Sequence, residues 1–283
     1  MKFIFVADSF LDNGVYGGGE LNNNELMNLI NEKDHEVLKI NSHMLSPEDV
    51  VNNKECAWII CNFINLRPDT MRAFISDVEE ARYVIYEHDH KYLKTRNPSV
   101  YDNFLAPEED IINKEFYSNA LAVFCQSDKH AEVARKNLKL DNIESVSGNL
   151  WSEKILDLIS DLAKNNKNNS CSVMASPIPH KNTKAAILYC KAKQLDYTII
   201  DPCKYDEFMT RLSKNDTFVF FPQTLETLCR VVVEARMLGC KIITNKNVSA
   251  TEEDWFALKG EELISKVKTM RQKIPDMVIS KFV

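Results

Sequence analysis

Several absences narrow the class of this 283-residue chain before any motif is read. It has no apolar run near the ~18 residues needed to cross a bilayer. Its start, MKFIFVADSF, carries one basic residue and a five-residue apolar run, too short for a signal peptide. Eight cysteines are scattered without a CxxC pair, mostly in apolar stretches where a free thiol acts as a small hydrophobe. That pattern excludes a disulfide scaffold and predicts a reducing, cytoplasmic setting. Excess positive charge is also missing. A net charge of -6 argues against coating nucleic acid along the whole surface, though a local basic face stays compatible with it. With 45% hydrophobic and 27% charged residues, a core forms without covalent or metallic help, and the length favours two modest domains.

Short apolar runs, each ending in polar residues, punctuate the chain: MKFIFVADS, HEVLKIN, CAWIICNF, ARYVIYEH and LAVFCQS. Helical stretches lie between them, the first with Leu26, Leu29 and Ile30 on one face. The run AKNNKNNS (163–170) lacks apolar periodicity and reads as a linker. After it the alternation restarts with CSVMASP, a helix from about Thr183 to Lys193, then DYTIID, FVFFP and KIIT. A last helix is expected over Glu261–Gln272, before Pro275 and a short apolar tail. Alternating strand and helix predicts α/β architecture with parallel sheets and ligands at the carboxyl ends of the strands. The expected division is 1–164, 171–265 and a tail, 266–283, packing back toward the first domain. The two large parts are read as Rossmann-like domains facing each other across a cleft.

Glycine is scarce, seven in all, yet Gly14, Gly17, Gly18 and Gly19 fall in the loop after the first strand. Glycine there lets backbone N–H groups approach a ligand closely. A dinucleotide fingerprint is excluded, because Asn22 stands where its third glycine belongs and no acid follows the second strand, which ends at Asn41. A purely structural turn and a ligand-facing loop both remain open.

The segment FPQTLETLCRVVVEARMLGCKIIT (221–244) runs strand, loop, helix, strand. The first N–H groups of a helix lack intrahelical partners, and the dipole favours an anion there. A diphosphate fits the N–H groups of Thr227, Leu228, Cys229 and Arg230. Glu234, one turn along, has two acceptor oxygens suited to adjacent ribose hydroxyls. Glu226, in the loop, reaches a hydroxyl of whatever hangs from the phosphate. The alternative is a pair of solvated surface acids.

ETLCRVVVE resembles the E-x7-E motif of retaining GT-B glycosyltransferases of the large family-four type, and EARMLGCKIIT resembles that family's EAMACGxPVI segment. GGGELNNNELMNLINEKDHEV, ALAVFCQSDKHAEVARKNL, SVSGN and ASPIPHKNT resemble further segments of the family in the right order, so the likeness covers most of the chain. It implies a metal-independent glycosyltransferase, hexosyl- or pentosyl-transferring, that uses a UDP- or GDP-linked sugar as donor and needs no other cofactor. The donor site would hold Gly18, Gly19, Lys181, Thr227, Leu228, Cys229, Arg230 and Glu234, with Glu226 at the donor sugar. Two departures stand out. Ser176 replaces the arginine of the family's GRLxxxKG segment, so Arg230 is expected to supply that charge, and the glycines of its EGFG loop are absent.

YEHDHKYLKTRNP (86–98) is the other dense segment. His88 and Asp89 follow a strand, where the family often has a histidine near the donor sugar, so both join Glu226 as catalytic candidates. The H-x-H spacing also suggests a metal site, but no third ligand is identifiable and no Asp-x-Asp motif occurs. Hydrogen-bonded structural histidines are the other reading. Lys91, Lys94 and Arg96 make the segment locally basic. They are read as either a solvated face or the contact for an anionic acceptor, such as a modified DNA base, a lipid phosphate or a glycan. A sugar-nucleotide epimerase and a non-catalytic sugar-nucleotide-binding protein are the rival functions on the same fold.

Overall fold

The computed structural model describes residues 1–14, 17–76 and 81–283; Val15 and Tyr16 of the glycine-rich loop lie outside the described residues. Contacts divide the chain into one unit of Met1–Leu150 with Met270–Val283 and another of Trp151–Thr269.

The first unit is built on strands β1 (Lys2–Ala7), β2 (Glu36–Asn41), β3 (Ala57–Ile60), β4 (Tyr83–Glu87), β5 (Val123–Cys125) and β6 (Ile143–Ser145). They pair in parallel in the order β2-β1-β3-β4-β5-β6. Helices α1 (Gly18–Asn31), α2 (Pro47–Asn52), α3 (Pro68–Ser76), α4 (Lys114–Ser118) and α5 (Asp128–Leu138) connect them. β3 and β4 are buried along their whole length, which is why they read as unbroken apolar runs. Ile4, Val6, Trp58, Ile60, Tyr83 and Ile85 share one core with Phe74 and Phe116. Ser127 caps α5 by accepting the His130 N–H at 3.1 Å, satisfying a donor that the helix cannot. β6 gives no apolar run and is invisible to periodicity.

The second unit carries β7 (Asn168–Met174), β8 (Tyr197–Ile200), β9 (Asn215–Phe220) and β10 (Lys241–Thr244), parallel and in the order β8-β7-β9-β10. Its helices are α6 (Glu153–Ala163), α7 (Thr183–Ala192), α8 (Tyr205–Leu212), α9 (Arg230–Met237) and the start of α10 (Glu261–Ile279). The polar run expected to be a linker is instead the end of α6, a turn and the first residues of β7. Its polar groups are used in place: the Asn168 N–H donates to the Lys214 carbonyl at 2.8 Å and Lys167 Nζ to the Ser213 carbonyl at 2.9 Å. The last helix also differs from expectation, because it runs through Pro275 to Ile279. A proline inside a helix costs one backbone hydrogen bond; Ile274 and Val278, one turn apart and both buried, hold the helix together across it.

Residues from Met270 onward are fastened to the first unit by side chains. Arg271 donates through Nε and Nη2 to Glu25 Oε1 (3.0 and 2.8 Å), Arg82 Nη1 to the Phe282 carbonyl (2.7 Å), and Lys281 to Glu144 (2.5 Å). The Phe282 ring meets Phe3 edge-on at 5.6 Å.

Both sheets place their first strand between the second and the third. The direction in which successive strands are added to the sheet therefore reverses between β1 and β3 in one unit and between β7 and β9 in the other. In open parallel sheets the loops leaving the two strands at such a switch point diverge and leave a crevice for ligands.

Candidate functional site

In the second unit the loops leaving the switch-point strands carry the two residues singled out by the sequence. Lys181 follows β7 and Glu226 follows β9, and Lys181 Nζ donates to Glu226 Oε1 at 2.7 Å. The position of Glu226 is fixed by backbone on both sides: its N–H donates to the Asn247 carbonyl at 2.8 Å, and its carbonyl accepts the Ser249 N–H at 3.2 Å. Burial alone would pull the Lys181 ammonium down, but the adjacent Glu226 carboxylate outweighs it and holds the pKa above the ordinary lysine range. Lys181 is thus a fixed, half-buried cation.

Asn182 and Cys229 account for the missing glycines. Asn182 adopts φ 54° and ψ 43°, at the place where the resembled KG segment has glycine. Cys229 adopts φ 77° and ψ 81° at the last glycine position of the EGFG loop. Both are left-handed conformations that glycine takes freely and other residues take at a cost of about 1–2 kcal/mol. Both positions thus hold a left-handed backbone without a glycine. Burial, reinforced by Glu226, pushes the Cys229 thiol well above its usual range, so it stays protonated.

Helix α9 begins at Arg230, later than expected, with Thr227–Cys229 forming the loop that enters it. Val232 and Val233 are the first to donate into its ladder, both to the Cys229 carbonyl at 3.1 and 3.3 Å. The Leu228 side chain is fully buried, which leaves only its backbone for any ligand.

Glu234 lies in the second turn of α9. It is buried, with Oε1 accepting the Trp151 indole N–H at 2.8 Å and the Tyr205 hydroxyl at 2.9 Å. Arg230 Nε stands 3.7 Å from the same oxygen, and its guanidinium lies 4.3 Å from the Trp151 ring centroid. Arg230 is thus packed against Trp151 and Glu234, with its side chain only 9% exposed. Trp151 and Tyr205 were not legible from the sequence, because they lie 83 and 29 residues from the carboxylate they hold.

In the first unit Gly17 precedes α1, and Gly18 and Gly19 open it. A Cβ on Gly19 would sit 3.4 Å from both the His88 ring and Asn62 Nδ2, so the absence of a side chain lets α1 approach the ends of β3 and β4. The His88 ring is held on both sides, Nε2 by Asn23 Oδ1 at 2.5 Å and Nδ1 by Gln126 Nε2 at 2.7 Å. These contacts fit a neutral imidazole with its proton on Nε2. Gly19 and His88 are therefore neighbours.

Asp89 is tied into structure. Arg96 Nε donates to its Oδ2 at 2.7 Å and the His90 N–H to its Oδ1 at 2.8 Å. Burial alone would raise its pKa, but Lys91, His90 and Arg96 together hold the carboxyl below the usual range. Asp89 is a fixed anion, unsuited to supplying a proton.

Lys91 does not belong to a basic surface. Its ammonium is 2% exposed and bonded to the fully buried Glu87, which also accepts the Tyr117 hydroxyl and the Asp89 N–H, the latter at 2.9 Å. Its partner Glu87 ends the buried strand β4, so the ammonium is held inside the unit. Lys94 stands 3.7 Å from Asp110, and Arg96 is bonded to Asp89. Each cation of the segment has its own acid, which removes the local charge excess that suggested an anionic acceptor.

His90 and His130 are core residues, their rings edge-on at 4.9 Å. Among the described residues no three His, Cys, Asp or Glu side chains are grouped to hold a metal ion. His130 Nδ1 accepts the Gln126 N–H at 3.2 Å, and Nε2 donates to the Asp89 carbonyl at 2.9 Å. Burial brings its pKa down to about 3, against roughly 6.5 in an unfolded chain. Between those values the unfolded state binds a proton that the folded state refuses, so stability falls with falling pH, by about 1.4 kcal/mol per unit for one proton. Urea titrations from pH 7 to 4 are expected to show a slope shallower by about that amount in His130→Gln. An unchanged slope would contradict the assignment.

No helix of the described residues is long and apolar enough to cross a membrane. No protein-family model matches the sequence, and comparison with curated proteins finds no match. Solved structures do match. Anabaena HepE in complex with UDP-glucose is 14% identical with a TM-score of 0.54, over 100% of this chain and 95% of that one. AviGT4, a glycosyltransferase involved in avilamycin A biosynthesis, is 12% identical with a TM-score of 0.60, over 99% and 96%. A UDP-forming α,α-trehalose-phosphate synthase from Burkholderia xenovorans, in complex with glucose-6-phosphate, is 6% identical with a TM-score of 0.56, over 100% and 96%. At such identities the likeness shows the fold, and that fold is the GT-B fold of glycosyltransferases.

Proposed function

We propose that the chain is a glycosyltransferase that moves a sugar from a nucleotide-diphosphate donor to an acceptor hydroxyl, and that its second unit binds the donor. The observation that carries this reading is the Lys181–Glu226 pair on the two loops that leave the switch-point strands β7 and β9, ahead of the N-terminus of α9. A switch-point crevice, a fixed cation and a helix N-terminus together suit a diphosphate. The GT-B fold of a protein solved with UDP-glucose supports the same class of donor.

As the bond between sugar and diphosphate breaks, negative charge grows on the leaving phosphate oxygens. Lys181 and the first N–H groups of α9 stabilise it, and such fixed donors act more strongly than water because they need no reorganisation. As in the retaining family that the sequence resembles, the acceptor oxygen bonds to the anomeric carbon on the face the diphosphate leaves and gives its proton to a departing phosphate oxygen, so the configuration is retained. Glu226 accompanies the donor sugar.

In the resting site Glu226 neutralises Lys181, so an incoming diphosphate competes with an internal carboxylate. Lys181→Ala is expected to weaken UDP or GDP binding by about tenfold or more, the value of a charge-assisted hydrogen bond, while binding of the free nucleoside changes little. Glu226→Gln is expected to act in the opposite sense on affinity, tightening nucleoside diphosphate binding several-fold while donor turnover falls. Calorimetric titration of both variants with UDP, GDP, uridine and guanosine checks this. Equal losses for diphosphate and nucleoside in Lys181→Ala would refute the assignment.

A further inference from the structure

Three elements converge on the Glu234 carboxylate. Trp151 stands just before α6, Tyr205 opens α8, and Glu234 itself lies on α9. The Oε1 atom accepts both the indole N–H (2.8 Å) and the phenolic O–H (2.9 Å), and Arg230 Nε is the next cation at 3.7 Å. Burial first, and then the carboxylate itself, push the Tyr205 hydroxyl far above the usual phenol range, so it remains a donor. Arg230, over the indole ring at 4.3 Å, also packs against Trp151. A carboxylate oxygen offers about two lone-pair directions, and on Oε1 both are filled. Among the described residues nothing is bonded to Oε2.

We propose that Trp151 and Tyr205 are positioning residues that commit one oxygen of Glu234 to the protein and leave Oε2 for the ligand; because a carboxylate grips two vicinal hydroxyls by giving one oxygen to each, Glu234 then recognises one ribose hydroxyl instead of an adjacent pair. The proposal rests on the reading of the second unit as the nucleotide site. It replaces the sequence-based expectation that both oxygens serve the ribose, and it gives Trp151 and Tyr205 a role in ligand selection that neither has through direct contact.

The test is calorimetric binding of UDP, 2′-deoxy-UDP and 3′-deoxy-UDP to the full chain and to Tyr205→Phe, with the corresponding GDP series if GDP binds more tightly. In the parent, one deoxy analogue is expected to bind about tenfold more weakly than UDP, in line with a lost hydrogen bond to a charged group, and the other within about twofold. In Tyr205→Phe, where Oε1 regains a free lone pair, the two analogues are expected to fall within about threefold of each other. Equal large losses for both analogues in the parent would overturn the single-hydroxyl proposal while leaving the nucleotide site intact. No loss for either analogue, or no binding of UDP or GDP, would overturn the underlying reading. A Tyr205→Phe variant that binds all three ligands more weakly in the same proportion would reduce Tyr205 to a structural role and refute its part. Trp151→Phe, which removes the other donor and keeps a ring beneath Arg230, is expected to behave as Tyr205→Phe does.

Discussion

Lys91→Ala is expected to lower the free energy of unfolding by about 3–5 kcal/mol, although it removes a lysine from a segment that reads as a charged surface. The cause is the partner left behind. Glu87 has no solvent exposure and spends its oxygens on Lys91, the Tyr117 hydroxyl and the Asp89 N–H. Without the ammonium, a buried carboxylate faces the apolar core beside Phe63, whose ring lies 5.5 Å from Lys91 Nζ. Lys94→Ala is the control, because its side chain is 55% exposed and its acid is 3.7 Å away; exposed pairs of this kind contribute about 0–1 kcal/mol. Replacing both partners, as Glu87→Gln with Lys91→Met, is expected to recover much of the loss, since an uncharged pair leaves no ion unpaired. Urea denaturation of the four proteins decides the matter. A Lys91→Ala loss below about 1 kcal/mol would show that the lysine is not an internal cation.

The second large effect belongs to Glu234, where two substitutions separate two roles. Glu234→Ala strands the Trp151 N–H and the Tyr205 hydroxyl in the interior and is expected to cost about 3–5 kcal/mol of stability, as for other broken buried charge networks. Glu234→Gln keeps a carbonyl oxygen for those two donors, so most of the fold stability is expected to remain. Its amide presents N–H groups where Oε2 accepted, and nucleoside diphosphate affinity is expected to fall by about ten- to a hundredfold, for a charge-assisted bond of ~1.5–3 kcal/mol. Calorimetry for binding and urea melts for stability are the paired measurements. A Gln variant that binds UDP and GDP as the parent does would remove the carboxylate from the ligand.

The strands were legible because a parallel sheet covered on both faces demands continuous apolar runs, as in AWII of β3 and YVIYE of β4. β6 was not, since three residues, IES, carry no pattern. Glu226 and Glu234 stood out as a pair because their spacing follows one strand–loop–helix unit, from β9 into α9, whereas Lys181, on the loop after β7, entered only through the family resemblance. Their surroundings were not legible, because Trp151 and Tyr205 reach Glu234 only through the fold. Lys91 was misjudged for a local reason: KYLKTR looks like a solvated stretch, yet its first lysine follows a central strand and turns into the core. The polar run at 163–170 misled in the same way, because strand β7 starts at an exposed end where asparagine and lysine can pair their backbone without burying their side chains.

Release of nucleoside diphosphate from a sugar donor is the most direct test of the central claim. The parent protein, Lys181→Ala and Glu226→Gln would each be incubated without acceptor with UDP-glucose and with a GDP-linked hexose, and the freed UDP or GDP followed over time. Slow release from one donor by the parent, strongly reduced in both variants, with thermal stabilisation of the parent by the same donor, is the predicted result. Absence of both release and stabilisation with every nucleotide sugar tried would contradict it.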